Sequence, residues 1–123
     1  MKQKVHSVSY LAKAEFEFTN GIYDLVALPS GAEVVKVSLE VVGLKAANAG
    51  SISVGLKDEN QKDKDYFLTL ENISSYKVAT SARDYTATSN KVVVAEVKNA
   101  SGNDNKGVLR VLYFLPSVIE VEY

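Results

Sequence analysis

Hydrophobic and polar residues alternate with a period of two along most of the chain. Residues 32–42 read Ala-Glu-Val-Val-Lys-Val-Ser-Leu-Glu-Val-Val, with Val35, Val37, Leu39 and Val41 on one side and Lys36, Ser38 and Glu40 on the other. That is the pattern of a strand with one buried and one wet face. Ala14, Phe16 and Phe18 alternate with Lys13, Glu15 and Glu17, and Asn20-Gly21 then predicts a hairpin-type turn into an apolar run over 22–28. In Leu28-Pro29-Ser30-Gly31 the proline presets φ at the second position of a tight turn and glycine takes the fourth. Further strands are expected over 52–56, 66–70, 92–97, 108–115 and 118–123, and another over 5–11.

These are eight or nine short strands separated by turn residues. They predict an all-β fold, an antiparallel β-sandwich or jelly roll of about eight strands with little helix. The only helical candidates, around 44–49 and 76–82, are a turn or two long. Three polar stretches read as connectors: the charged 58–65, the Thr/Ser/Ala-rich 79–90, and 99–107, which reads as a hairpin tip. The strand over 108–115 is apolar on both faces, so its outer side calls for a cover, either a second sheet or another subunit.

Composition adds exclusions. At 123 residues the chain reads as one domain, 1–123, and it has no Cys, one His and a formal net charge of -1. There is no thiol nucleophile, CxxC pair or disulfide framework. The balanced charge lacks the basic footprint of a nucleic-acid binder. Nothing resembles a secretory h-region or an 18-residue apolar span, so the expectation is a protein made in a cytosol with no membrane partner.

Candidate chemistry is sparse. His6 lies beside Ser7 and Ser9, but no Gly-x-Ser-x-Gly elbow occurs, and the start of a chain is a poor site for a rigid triad. The 58–65 run, Asp-Glu-Asn-Gln-Lys-Asp-Lys-Asp, lacks the glycine of a calcium loop and places two lysines among the would-be ligands. Gly102 to Gly107 lacks the phosphate-loop spacing. The sequons at Asn72 and Asn99 lack a secretory context. No catalytic, cofactor or metal site is expected. Binding is better supplied: seven tyrosines and β-branched residues near the chain ends can anchor an interface or stack on a sugar. The interface candidates are Val5, Val8, Tyr10, Tyr66, Phe67, Tyr85, Ile119, Val121 and Tyr123, with 1–11 and 118–123 as arms or edge strands that add to a neighbour's sheet.

One order of segments is distinctive. Tyr23-Asp-Leu-Val-Ala-Leu-Pro-Ser-Gly-Ala-Glu-Val-Val35 is followed by Ala49-Gly-Ser-Ile-Ser-Val-Gly-Leu56, then Asp65-Tyr-Phe-Leu68, then the Gly107-Val-Leu-Arg-Val-Leu-Tyr113 strand running on to Pro116. Over residues 22–117 this resembles small virion proteins of tailed bacteriophages, most of all capsid decoration (cement) proteins and related head-associated β-sandwich proteins. The resemblance implies no catalytic residues. It implies a structural protein on the capsid surface, made in the host bacterial cytoplasm, whose partners are the major capsid protein and neighbouring copies of itself. The alternatives are a tail or head-fibre component, or a carbohydrate-binding module stacking sugars on Tyr66 and Tyr85.

Overall fold

The computed structural model describes residues 2–43, 50–57, 63–71, 73, 77–100, 105–116 and 118–122. Among them are eleven strands and no helix: β1 (Lys2–His6), β2 (Ser9–Glu17), β3 (Gly21–Leu28), β4 (Glu33–Val42), β5 (Ser51–Leu56), β6 (Leu68–Leu70), β7 (Lys77–Ser81), β8 (Tyr85–Thr86), β9 (Lys91–Lys98), β10 (Lys106–Phe114) and β11 (Val118–Glu122). Every pairing is antiparallel. One sheet runs β2-β10-β4-β7 with β8 also on β4, a second runs β3-β9-β5-β6, and β1 and β11 form a separate two-stranded ribbon. The fold is an all-β sandwich, as the alternation predicts.

The sandwich closes over inward side chains of the central strands. From β10 come Leu109, Val111 and Tyr113; from β4, Val34, Val37, Leu39 and Val41. The other sheet answers with Ile52, Val54 and Leu56 of β5, Val93, Ala95 and Val97 of β9, and Val26 and Leu28 of β3. Most are β-branched, which suits a pleated surface. Each fully buried aliphatic side chain contributes about 1.5–3 kcal/mol by leaving water.

Several sequence expectations are corrected. The alternation in β4 holds from Val37 onward, but a bulge shifts the register between Leu112 and Tyr113, so that Tyr113 pairs with Val34. Val34 thereby takes the inward position expected of Val35, which is left half-buried. The proline turn is offset by one residue: the Ala32 amide donates to the Pro29 carbonyl at 3.0 Å, placing Gly31 third with φ +89, the position that favours glycine. Asn20-Gly21 joins β2 to β3, but these strands lie in different sheets, so the turn is a sandwich corner and not a hairpin. The helical candidate at 76–82 contains β7, which pairs with β4, and the candidate at 44–49 lies outside the described residues. The 66–70 run is strand only at Leu68–Leu70, and β7 and β8 raise the strand count above the eight or nine read from the sequence.

The outer face of β10 is not covered by a second sheet. Val108 is buried there, while Arg110 Nη1 lies 3.3 Å from Glu40 Oε1 and Leu112 faces a shallow depression shared with Leu11 and Lys36.

Gly107 shows how tightly the inner face is filled. It sits directly opposite Phe16, and a Cβ at this position would overlap the Phe16 ring. We therefore expect Gly107→Ala to cost about 1–3 kcal/mol through overpacking, read as a drop in thermal midpoint. Adding Phe16→Leu should recover part of that loss, because the two sites are coupled; a Gly107→Ala protein melting like the parent would refute the packing. Leu109→Ala, in the centre of β10, should cost about 2–5 kcal/mol in denaturant titration through the cavity it leaves.

Candidate functional site

The sequence-predicted interface residues gather in two groups near the end of the sandwich where the ribbon leaves it. The first group is the ribbon and its root. The β2–β10 ladder ends at Ser9 opposite Phe114, the Leu115 amide donates to the Val8 carbonyl at 2.8 Å, and β1 and β11 then continue from His6/Val118 to Lys2/Glu122. His6 Nδ1 lies 3.3 Å from the Leu115 carbonyl oxygen at this joint.

The alternation along the ribbon separates two faces. On one, Val5 pairs with Ile119 and Gln3 with Val121; on the other, Lys4 pairs with Glu120 and Lys2 with Glu122. Ile119 is 57% exposed and Val121 41%, and Val8 is also exposed. Tyr10, exposed over half its surface, sets its ring edge-on to Tyr113 with centroids 5.9 Å apart. A two-stranded ribbon is marginal in water on its own, and this one offers an apolar row that no other described strand covers. Tyr123 lies outside the described residues.

The second group is an aromatic cluster. Tyr66, Phe67 and Tyr85 stand edge-on to one another, with centroids 5.1 to 6.3 Å apart. The Arg83 guanidinium carbon sits 3.9 Å above the Tyr66 ring centroid and its Nη1 donates to the Tyr66 carbonyl, while the Tyr66 hydroxyl donates to the Asp84 carbonyl at 2.8 Å. Burial pushes the Tyr85 hydroxyl above its ordinary pKa, with the Asp63 carboxylate and Tyr66 adding to the shift, so it stays neutral at physiological pH. Phe67 is a core residue, only 6% exposed, and is not free to meet a partner. With Arg83 on one face of Tyr66 and the rings crossed, the cluster presents no flat stacking platform of the kind a sugar ring uses. It braces the β8 end of the sandwich.

Between the groups runs a groove of about 480 Å³, where Lys4 and His6 of the ribbon face Glu33 and Asp84 of the body. Glu33 is held by the Thr86 hydroxyl, which donates to its carboxylate at 2.8 Å. Among the described residues no three His, Asp or Glu side chains are placed to hold a metal ion.

The remaining surface is mostly paired charge. Lys57 Nζ lies 2.9 Å from Asp24, and Lys98 and Lys64 both reach Glu96, at 3.0 and 3.8 Å. Such exposed pairs contribute little energy and mark solvated faces. Sequence reasoning missed three exposed apolar residues, Leu11, Ile22 and Val78. Leu11 lies on the outer face opposite Leu112, a neighbour visible only once the β2–β10 register is known. Ile22 and Val78 stand singly at the end of the sandwich away from the ribbon.

No family model matches the sequence, and no curated protein does. Among solved structures, a chain in the acidic stable capsid structure of Helicobacter pylori bacteriophage KHP30 matches over 100% of both chains, at 73% identity and a TM-score of 0.89. A chain in the cyanophage Pam1 capsid asymmetric unit matches 88% of this chain and 85% of its own length, at 25% identity and a TM-score of 0.60. The resemblance read from the Leu-Pro-Ser-Gly and Gly-Val-Leu-Arg-Val segments therefore holds. With 73% identity from end to end, this chain belongs to the same family of bacteriophage virion proteins as its counterpart in the KHP30 capsid structure.

Proposed function

We propose that this chain is a non-enzymatic capsid decoration (cement) protein that binds the major capsid protein lattice on the outside of the phage head and stabilises it. The observation that carries this reading is the full-length match to a chain of a phage capsid structure. The surface supports it. Paired charges cover the outer faces, while exposed apolar side chains collect at the ribbon end: Val8, Tyr10, Ile119 and Val121. A protein that must meet neighbours on every side needs sticky faces all round. One that stands on a finished lattice needs a single adhesive end, and contiguous apolar patches mark such ends. Neighbouring copies on the same lattice are the second partner of this reading. A net charge of -1 assigns no role to nucleic acid.

The test uses particles from a phage lacking this gene and the purified protein added back. Purified wild-type virions should contain the chain by mass spectrometry, and added protein should bind the deficient heads and raise their thermal stability. Ile119→Asp with Val121→Asp should weaken particle binding by about tenfold or more, the loss of roughly one anchoring contact. The melting temperature of the free protein should change little, because neither residue belongs to the core. Absence of the chain from virions, or binding confined to the tail, would overturn the reading.

A further inference from the structure

Charge in the ribbon is sorted by strand. β1, Lys-Gln-Lys-Val-His, carries bases and no acid; β11, Val-Ile-Glu-Val-Glu, carries acids and no base. Lys2, Lys4, Glu120 and Glu122 share one face, where the sorting gives the intrachain Lys2–Glu120 pair at 3.5 Å. It also marks the two outer edges. Among the described residues β1 and β11 pair only with each other, so each turns a row of backbone N–H and C=O groups away from its partner, and such rows are templates for further strands.

Charged side chains on an edge ordinarily prevent pairing, and that is the plain reading of the lysines. A row of one sign, however, repels only an edge of the same sign. Setting β1 against β1 opposes lysines with lysines, and β11 against β11 opposes glutamates with glutamates, both unfavourable cross-strand arrangements. Setting β11 of one copy against β1 of another repeats the pairing the chain already makes within itself. The charges match again, and Val5 again lies beside Ile119 and Val121 on the same face.

We propose that copies of this chain associate head to tail through the ribbon edges, β11 of one copy adding to β1 of the next. The occupant is a second copy because each edge of the ribbon complements its other edge in charge and apolar row. The inference rests on the foregoing reading in taking the ribbon end as the binding end; it does not require the lattice. The contact uses two different patches, so it builds a ring or an open chain and never a two-fold dimer. Ribbons pointing the same way keep the new strand pairs antiparallel.

The chain has no cysteine, so one introduced thiol per copy reports a contact cleanly. Lys4→Cys and Glu120→Cys proteins, purified apart, would be mixed and oxidised, with Lys2→Cys and Glu122→Cys as a second pair. The mixtures should give heterodimeric disulfides, identified by mass, about tenfold above any homodimer in the separate samples, the ratio expected of one favourable against one unfavourable charge contact. Homodimers at equal yield, or no crosslink in either mixture, would overturn the proposal. Light-scattering mass gives an independent readout: Lys2→Glu with Lys4→Glu should abolish association, and adding Glu120→Lys and Glu122→Lys should restore it. Neither experiment uses phage particles, so failure here leaves the particle-binding result standing, and failure there leaves this one standing.

Discussion

The antiparallel ladder between β2 and β10, joining residues 9–17 to 106–114, is the constraint on which the rest of the molecule depends. β10 pairs on its other side with β4 along nearly its whole length, so one strand near the end of the sequence holds both the first strand of the body and the longest one. Its inward side chains fill the middle of the core. Beyond Phe114 the same ladder runs on into β1 and β11, so the ribbon takes its direction from the body even though it shares almost no packing with it. The arrangement has a kinetic corollary. Contacts between strands about a hundred residues apart must await closure of a very long loop, which places the fold among slow, non-local topologies.

A second consequence is the way apolar surface is distributed. Each strand of the sandwich buries alternate residues, and its outer residues pair as Lys57–Asp24, Lys98–Glu96 or Arg110–Glu40. In the ribbon the same alternation has no second sheet to serve. The inner row therefore becomes Val5, Ile119 and Val121 in the open. The alternation that builds a core in the sandwich builds an adhesive face where the layers run out.

This explains which features were legible in the sequence. The period of two is a local property, so it disclosed strands at 14–18, 22–28, 32–42 and 92–97 and the all-β class with them. It could not disclose what depends on a partner far along the chain. The inward turn of Val34 in place of Val35 is set by a bulge against β10. β7 has too little apolar content to announce itself as a strand; Lys77–Ser81 extends because the edge of β4 accepts it. Tyr66 and Phe67 read as strand by composition, yet they sit in the turn before β6, where Tyr66 takes Arg83 over its ring and Phe67 enters the core. The two chain ends were recognisable as arms from their apolar content, but not as partners of one another, since nothing local to either one records the pairing.

The ribbon's face and edges also need not compete. Hydrogen bonds from an edge lie in the plane of the strands, whereas the side chains of Val5, Ile119 and Val121 stand out of it. Copies joined edge to edge would keep these side chains on one side, so each added copy lengthens a continuous apolar surface instead of consuming it. On a lattice that repeats its binding site, a surface of that kind gains by multivalency: after the first ribbon docks, each linked neighbour binds at a high effective concentration. Weak individual contacts, which are all a ten-residue ribbon can supply, then suffice to hold an array in place. A chain that folded as a sandwich alone would have no means of coupling its neighbours in this way, and the interrupted ladder at Ser7-Val8 and Leu115–Ser117 is what turns the surplus of strand into that coupling.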